Sequence, residues 1–107
     1  MSAKNLRNYD KITLVVPPRR SVEDIVGQLR NEFGIAKNIK DDTTRNNVLQ
    51  ALANIIDYLQ KYKVIPQDGL IIYAHKDKLD LQFSGKPVNI NLYRCDDHFY
   101  KYMGETL

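Results

Sequence analysis

A chain of 107 residues, 43% hydrophobic and 27% charged, has the size of one domain with one core, and folding buries roughly two thirds of its unfolded surface without a staple. Its one cysteine, Cys95, excludes an internal disulfide, its two histidines leave no zinc ligand set, and no apolar run is long enough to be a membrane helix. A net charge of +3 and a pI near 9.0 favour a polyanionic partner without requiring one.

Met1 to Asp10 are polar and lack the apolar middle of a signal peptide, so a reducing, cytoplasmic setting is expected. Lys11 to Val16 are rich in β-branched residues and stop at Pro17-Pro18, which predicts a first strand. Ser21 with Asp24 three residues on reads as a helix start, and Val22, Ile25, Val26, Leu29 and Phe33 form one apolar stripe ending near Gly34.

A second helix is expected after Thr43 or Thr44, with Val48, Leu49, Leu52, Ile55, Ile56 and Leu59 on one face and Pro66 as its limit. The two stripes face each other in a hairpin. Its tip, Asn38-Ile39-Lys40-Asp41, is expected to be a presented loop far from the sheet.

Pro66-Gln67-Asp68-Gly69 predicts a turn, followed by a buried strand over Leu70 to Ala74. Leu79, Leu81 and Phe83 alternate with Asp80 and Gln82 in a third strand. A last strand starts at Val88, with Val88, Ile90 and Leu92 on one side and Asn89, Asn91, Tyr93 and Cys95 on the other, which is read as the polar face. The predicted class is α+β: a β-α-α-β-β-β order with a four-stranded, largely antiparallel sheet and a projecting helical hairpin.

No phosphate loop, HExxH helix or nucleophile elbow is present, and neither a cofactor nor an enzymatic role is expected. His75 beside Lys76, and His98 after Asp96 and Asp97, read as exposed turn residues. The remaining groups suit single-stranded RNA: a loop with an amide, an ammonium and a carboxylate, and a strand with a phenol and a thiol on one side.

Asn31-Glu32-Phe33-Gly34-Ile35-Ala36-Lys37-Asn38-Ile39-Lys40-Asp41 resembles the loop of eukaryotic and archaeal class I peptide chain release factors that carries the NIKS motif. Tyr93-Arg94-Cys95-Asp96-Asp97-His98-Phe99 is similar to that family's YxCxxxF motif. Leu14 to Pro18, Val48-Leu49 and Pro66 to Tyr73 resemble its first strand, second helix and next strand, so the likeness covers nearly everything after residue 7.

The resemblance implies the codon-recognition domain: a module that enters the ribosomal A site and surrounds an mRNA stop codon beside small-subunit ribosomal RNA. Other domains of such factors contact the peptidyl transferase centre and a class II release factor GTPase. Carried over by position, Glu32, Asn38, Ile39, Lys40, Asp41, Tyr93, Cys95 and Phe99 form or support the codon pocket, Phe99 mainly by packing. Lys37 and Arg45 are candidate RNA phosphate contacts.

Four departures bear on codon choice: Asn8-Tyr9-Asp10 stand where the family has GTS, Asp41 replaces the usual serine, Ile35 a threonine, and Lys37 a small residue. Loops ending in aspartate resemble factors of organisms with reassigned stop codons. The family's leading helix is nearly missing and Leu107 precedes any Gly-Gly-Gln, so peptidyl-tRNA hydrolysis is not expected of this chain. A stand-alone ribosome-binding regulator or decoy without codon discrimination, and a docking domain for protein, are the competing readings.

Overall fold

In a computed structural model, which describes residues 9–101, strand β1 runs over Lys11–Val16, helix α1 over Val22–Ala36, helix α2 over Asp42–Tyr62, and strands β2, β3 and β4 over Leu70–His75, Lys78–Gln82 and Leu92–Asp96. The sheet order is β3-β2-β1-β4 and all three pairings are antiparallel, as the α+β reading requires. Asn8 and the position of the family's leading helix lie outside the described residues.

Side-chain alternation sorts the sheet. Ile12, Leu14 and Val16 stand opposite Ala74, Ile72 and Leu70, and with Ile25, Leu29, Val48, Leu52, Ile55 and Leu59 they build the core between sheet and helices. Here α2 lies on the sheet and α1 pairs mainly with α2. The other face carries a smaller cluster of Val15, Ile71 and Val88 with Tyr73, Ile90 and Leu92.

The element boundaries follow local chemistry. The Asp24 N–H donates to the Ser21 hydroxyl at 3.1 Å, capping α1. This helix passes through Gly34 and ends at Ala36, because Gly34 does not adopt the left-handed φ that would stop it; among the described glycines only Gly69 has a positive φ. Helix α2 starts earlier than Thr43, with Asp41 as its cap, and finishes at Lys63, whose left-handed φ of 56° lets its N–H reach the Leu59 carbonyl at 2.8 Å.

Two strands are shorter than their apolar patterns. Residues 88–91 are not part of the strand: β4 begins at Leu92 opposite Val15, and one position past Val16 the neighbour becomes Pro17, which has no N–H. Likewise β3 stops at Gln82 opposite Ile71, close to where Gly69 turns the partner away, and Phe83 is left 64% exposed. Among the described residues no helix is long and apolar enough to cross a membrane.

Candidate nucleic-acid interface

The hairpin apex is held by its own backbone. The Asn38 and Ile39 N–H groups donate to the Ile35 and Ala36 carbonyls, each at 3.0 Å, and so satisfy the open end of α1. The Asp41 carboxylate accepts the Thr44 N–H at 2.9 Å and the Thr44 hydroxyl at 2.8 Å. It therefore faces the start of α2, where a serine would also cap.

Arg45 closes the apex from the other side. Its guanidinium donates to the Ile39 carbonyl at 3.0 Å and to the Asp42 carboxylate at 2.8 Å, so the candidate phosphate contact also fixes the loop. Ile39 packs on the core as the anchor, Lys37 lies over the Phe33 ring at 5.5 Å, and Asn38 and Lys40 are exposed. Substituting Asp41→Ala removes the cap and is expected to lower stability by about 1 kcal/mol, while Asp41→Ser stays within about half of that; thermal melts check both.

The apex is not far from the sheet. Because α2 begins over the start of β1, Asn47 in its second turn donates to the Asp10 carboxylate at 2.8 Å, and Tyr9 joins Ile39, Lys40, Asp41 and Thr44 around a hollow of about 320 Å³. Tyr9 belongs to the Asn8-Tyr9-Asp10 stretch that stands where the family has GTS and was expected to alter one wall of the pocket, although it was not itself among the candidate site residues.

The last strand meets this wall through Cys95. Tyr93 and Cys95 stand opposite Leu14 and Ile12, so they face the helix-covered core and pack against it. The predicted alternation is observed, but the face assignment is inverted: this side is buried by the helices, and Leu92 points to the open side. The Cys95 thiol donates to the Tyr9 carbonyl at 3.3 Å, tying β4 to the hollow, although Tyr93 and Cys95 do not line it themselves.

Electrostatics keep both groups neutral. Burial, then the neighbouring Cys95 and Glu32, push the Tyr93 phenol well above its ordinary range. Burial, then the carboxylates of Asp10, Asp96 and Glu32, push the Cys95 thiol up to about 11. The Glu32 charge on α1 thus acts on both strand residues. Phe99 packs edge-on against Tyr73, ring centres 5.4 Å apart, on the face turned away from the helices.

The thiolate is the reactive form, so the raised Cys95 value makes a prediction. In native protein at pH 8 a disulfide reagent is expected to react about two hundredfold more slowly than in denaturant, where the thiol titrates near 8.5. A stopped-flow comparison with an aromatic disulfide reads this directly; equal rates would contradict the buried thiol.

His75 differs from its expected turn position. It ends β2, half-buried, with Nε2 3.4 Å from the Asp10 carboxylate. Asp10 itself is 4% exposed and also has Lys11 Nζ at 3.4 Å. Burial would raise this carboxyl, but the Asn47 hydrogen bond and the charges of Lys11 and His75 outweigh it and hold it below the usual carboxylate range. His98 is exposed beside Asp97, 2.7 Å away.

Fold and hollow together define an α+β module that presents a braced helical-hairpin apex against the first strand's entry. The sequence profile of the family described as eRF1 domain 1 matches residues 1–107, and the chain belongs to that family. It is 34% identical over 102 residues to peptide chain release factor subunit 1 of Thermococcus kodakarensis, covering 87% of this chain and 25% of that protein. The same name, identity and coverage apply to the Pyrococcus abyssi relative.

A crystal structure of the archaeal translation termination factor aRF1 superposes with a TM-score of 0.82 at 30% identity, covering 86% of this chain and 27% of that one. A second archaeal protein gives 0.78 at 33% identity, with 86% and 28% covered. The chain thus spans about a quarter of the length of the curated relatives it matches.

Proposed function

We propose that this chain is a single codon-reading domain that recognises a stop codon in the ribosomal A site during translation termination, with mRNA and small-subunit ribosomal RNA as partners. It does so in the cytoplasm and without catalysing a reaction. The observation that carries this reading is the hollow shared by Tyr9, Ile39 and Lys40, tied to the Tyr93–Cys95 strand by the thiol-to-carbonyl hydrogen bond.

At about 320 Å³ the hollow is at the small end of ligand sites and suits one base rather than a stacked triplet. The Lys40 ammonium has only donors to offer a uridine carbonyl, a position where cytosine presents a competing amino donor, and the Asn38 amide N–H can donate beside it. The Tyr9 ring supplies an apolar wall beside them. The Glu32 carboxylate accepts from the exocyclic amine of adenine, and the neutral Tyr93 hydroxyl completes the polar set on the strand side.

The test is binding to ribosomes carrying UAA, UAG, UGA or a sense codon in the A site. A hydrogen bond from a charged donor contributes about 1.5 to 3 kcal/mol, so Lys40→Ala is expected to weaken binding about tenfold to a hundredfold at the stop codons it reads, and not at the sense codon. Tyr93→Phe, which removes one hydroxyl, is expected to act in the same direction with a smaller effect. Equal affinity of the parent for all four codons would overturn codon reading in favour of a ribosome-binding regulator without discrimination.

A further inference from the structure

The sheet face turned away from the helices carries a second assembly that codon reading leaves unused. Alternation along β3 puts Lys78, Asp80 and Gln82 on this face, with Asp80 directly opposite Tyr73 of β2. Together with Phe99 and Lys101 they line an open hollow of about 570 Å³. The segment after β4 is pinned over the sheet by the Tyr100 N–H, which donates to the Thr13 hydroxyl at 2.9 Å.

Phe99 meets Tyr73 at an interplanar angle of 72° and remains 37% exposed, so one aromatic ring steadies the other while ring surface stays open. Lys78 and Lys101 are both exposed beside it, against the single carboxylate of Asp80. On the same face Arg94 lies over the Tyr100 ring at 5.4 Å.

An aromatic floor with an excess of cations at its rim is matched by a flat, stackable group attached to an anion. Lysine is depleted from the buried centres of protein interfaces, which weighs against a protein occupant. Bases of single-stranded RNA stack on aromatic side chains presented by a four-stranded sheet while lysines hold the phosphates. We propose that this outer face is a second RNA-binding surface, in which a base of a single-stranded segment stacks on Phe99, Lys78 and Lys101 hold its phosphates, and Asp80 and Gln82 meet the base edge.

The site is separate from the hollow at the apex, since it lies across the sheet from it and the two linings have no residue in common. It also gives Phe99 a role that its distance from Tyr93 and Cys95 otherwise leaves open.

The experiment measures fluorescence anisotropy of a labelled oligoadenylate with the full chain, as parent, Lys78→Glu/Lys101→Glu, Phe99→Leu and Lys61→Ala. Stacking of one base and each phosphate contact are both large enough that Phe99→Leu is expected to weaken binding about tenfold and the double variant more than tenfold with a shallower salt dependence. Lys61→Ala, an exposed lysine in the last turn of α2, is expected to bind as the parent does. Photo-crosslinking of the parent, independent of any variant's folding, is expected to label the peptides containing Tyr73 or Phe99.

Absence of saturable binding by the parent, or crosslinks on the hairpin apex alone, overturns the proposal. So does binding that Phe99→Leu leaves unchanged while the lysine variant loses it, which is diffuse charge attraction only. Concentration-dependent self-association blocked by the same substitutions assigns the face to a second copy of the chain and equally overturns it.

Discussion

Gly69→Ala is expected to lower the melting temperature by roughly 10 to 25 °C, a loss of about 2 to 4 kcal/mol in a domain of this size. Gly69 has a φ of +95°, and an alanine Cβ there would lie 2.5 Å from the Val16 carbonyl oxygen and 3.0 Å from Val88 Cβ. The first contact is with backbone and cannot be relieved by a rotamer change. Moving the turn would also disturb the Gly69 N–H bond to the Pro66 carbonyl at 2.9 Å and the Val88 N–H bond to the Asp68 carbonyl at 2.9 Å.

Gly27 and Gly34 provide the internal contrast. Both lie inside α1, and a Cβ at either meets nothing within 4 Å, so the same substitution is expected to stabilise by up to about 1 kcal/mol. Melts of all three variants, followed by circular dichroism, should therefore move in opposite directions. If Gly69→Ala melts with the parent, the turn into β2 is not built as described.

Asp10→Ala is the second large expectation, at about 2 to 3 kcal/mol. It removes a nearly buried carboxylate from Asn47, Lys11 and His75, and a lost partner of a buried charged hydrogen bond costs about that much, since Lys11 and His75, each partly exposed, recover water. The effect has a pH signature. A carboxylate held below its unfolded value contributes fully above about pH 4, where the unfolded group is ionised, and the contribution fades as pH falls through the lower folded value.

The gap in melting temperature between parent and Asp10→Asn should accordingly be full at neutral pH and close in acid. A gap that is constant from neutrality down to strong acid would assign the loss to packing and not to the charge. The same cluster joins β1, β2 and α2 directly beneath Tyr9, so Asp10→Ala is also expected to loosen the wall of the proposed codon site.

Much of the framework was legible because it depends on short-range rules. The proline pair after Val16, the Ser21 cap, the two helical stripes and the Gly69 turn each have a local physical cause, and each stands where the residues place it. The boundaries that moved had weaker local signals. Gly34 was open to being a helix stop or a tolerated glycine, and residues 88–91 had a strand's alternation with no partner strand to receive it.

The site was legible only in part. Asn38, Lys40 and the hairpin that presents them follow from periodicity and turn chemistry, and the two spaced motifs from the family resemblance. The inverted face of β4 could not be read locally, because both of its sides carry apolar residues and both are half-buried. Which side the helices cover is decided by pairing with β1: Leu14 opposite Tyr93 and Ile12 opposite Cys95.

The sequence alone determined the order and type of the elements, since caps, turns and hydrophobic period act over a few residues. Only the tertiary structure decided that Tyr9 and Asp10 meet the hairpin apex, that Arg45 braces the loop, and that Phe99 lies across the sheet from Tyr93 and Cys95. The Arg45 brace spans only three to six positions and depends on how the loop closes; the other placements depend on contacts between residues tens of positions apart, which sheet register and helix packing set and no local pattern encodes.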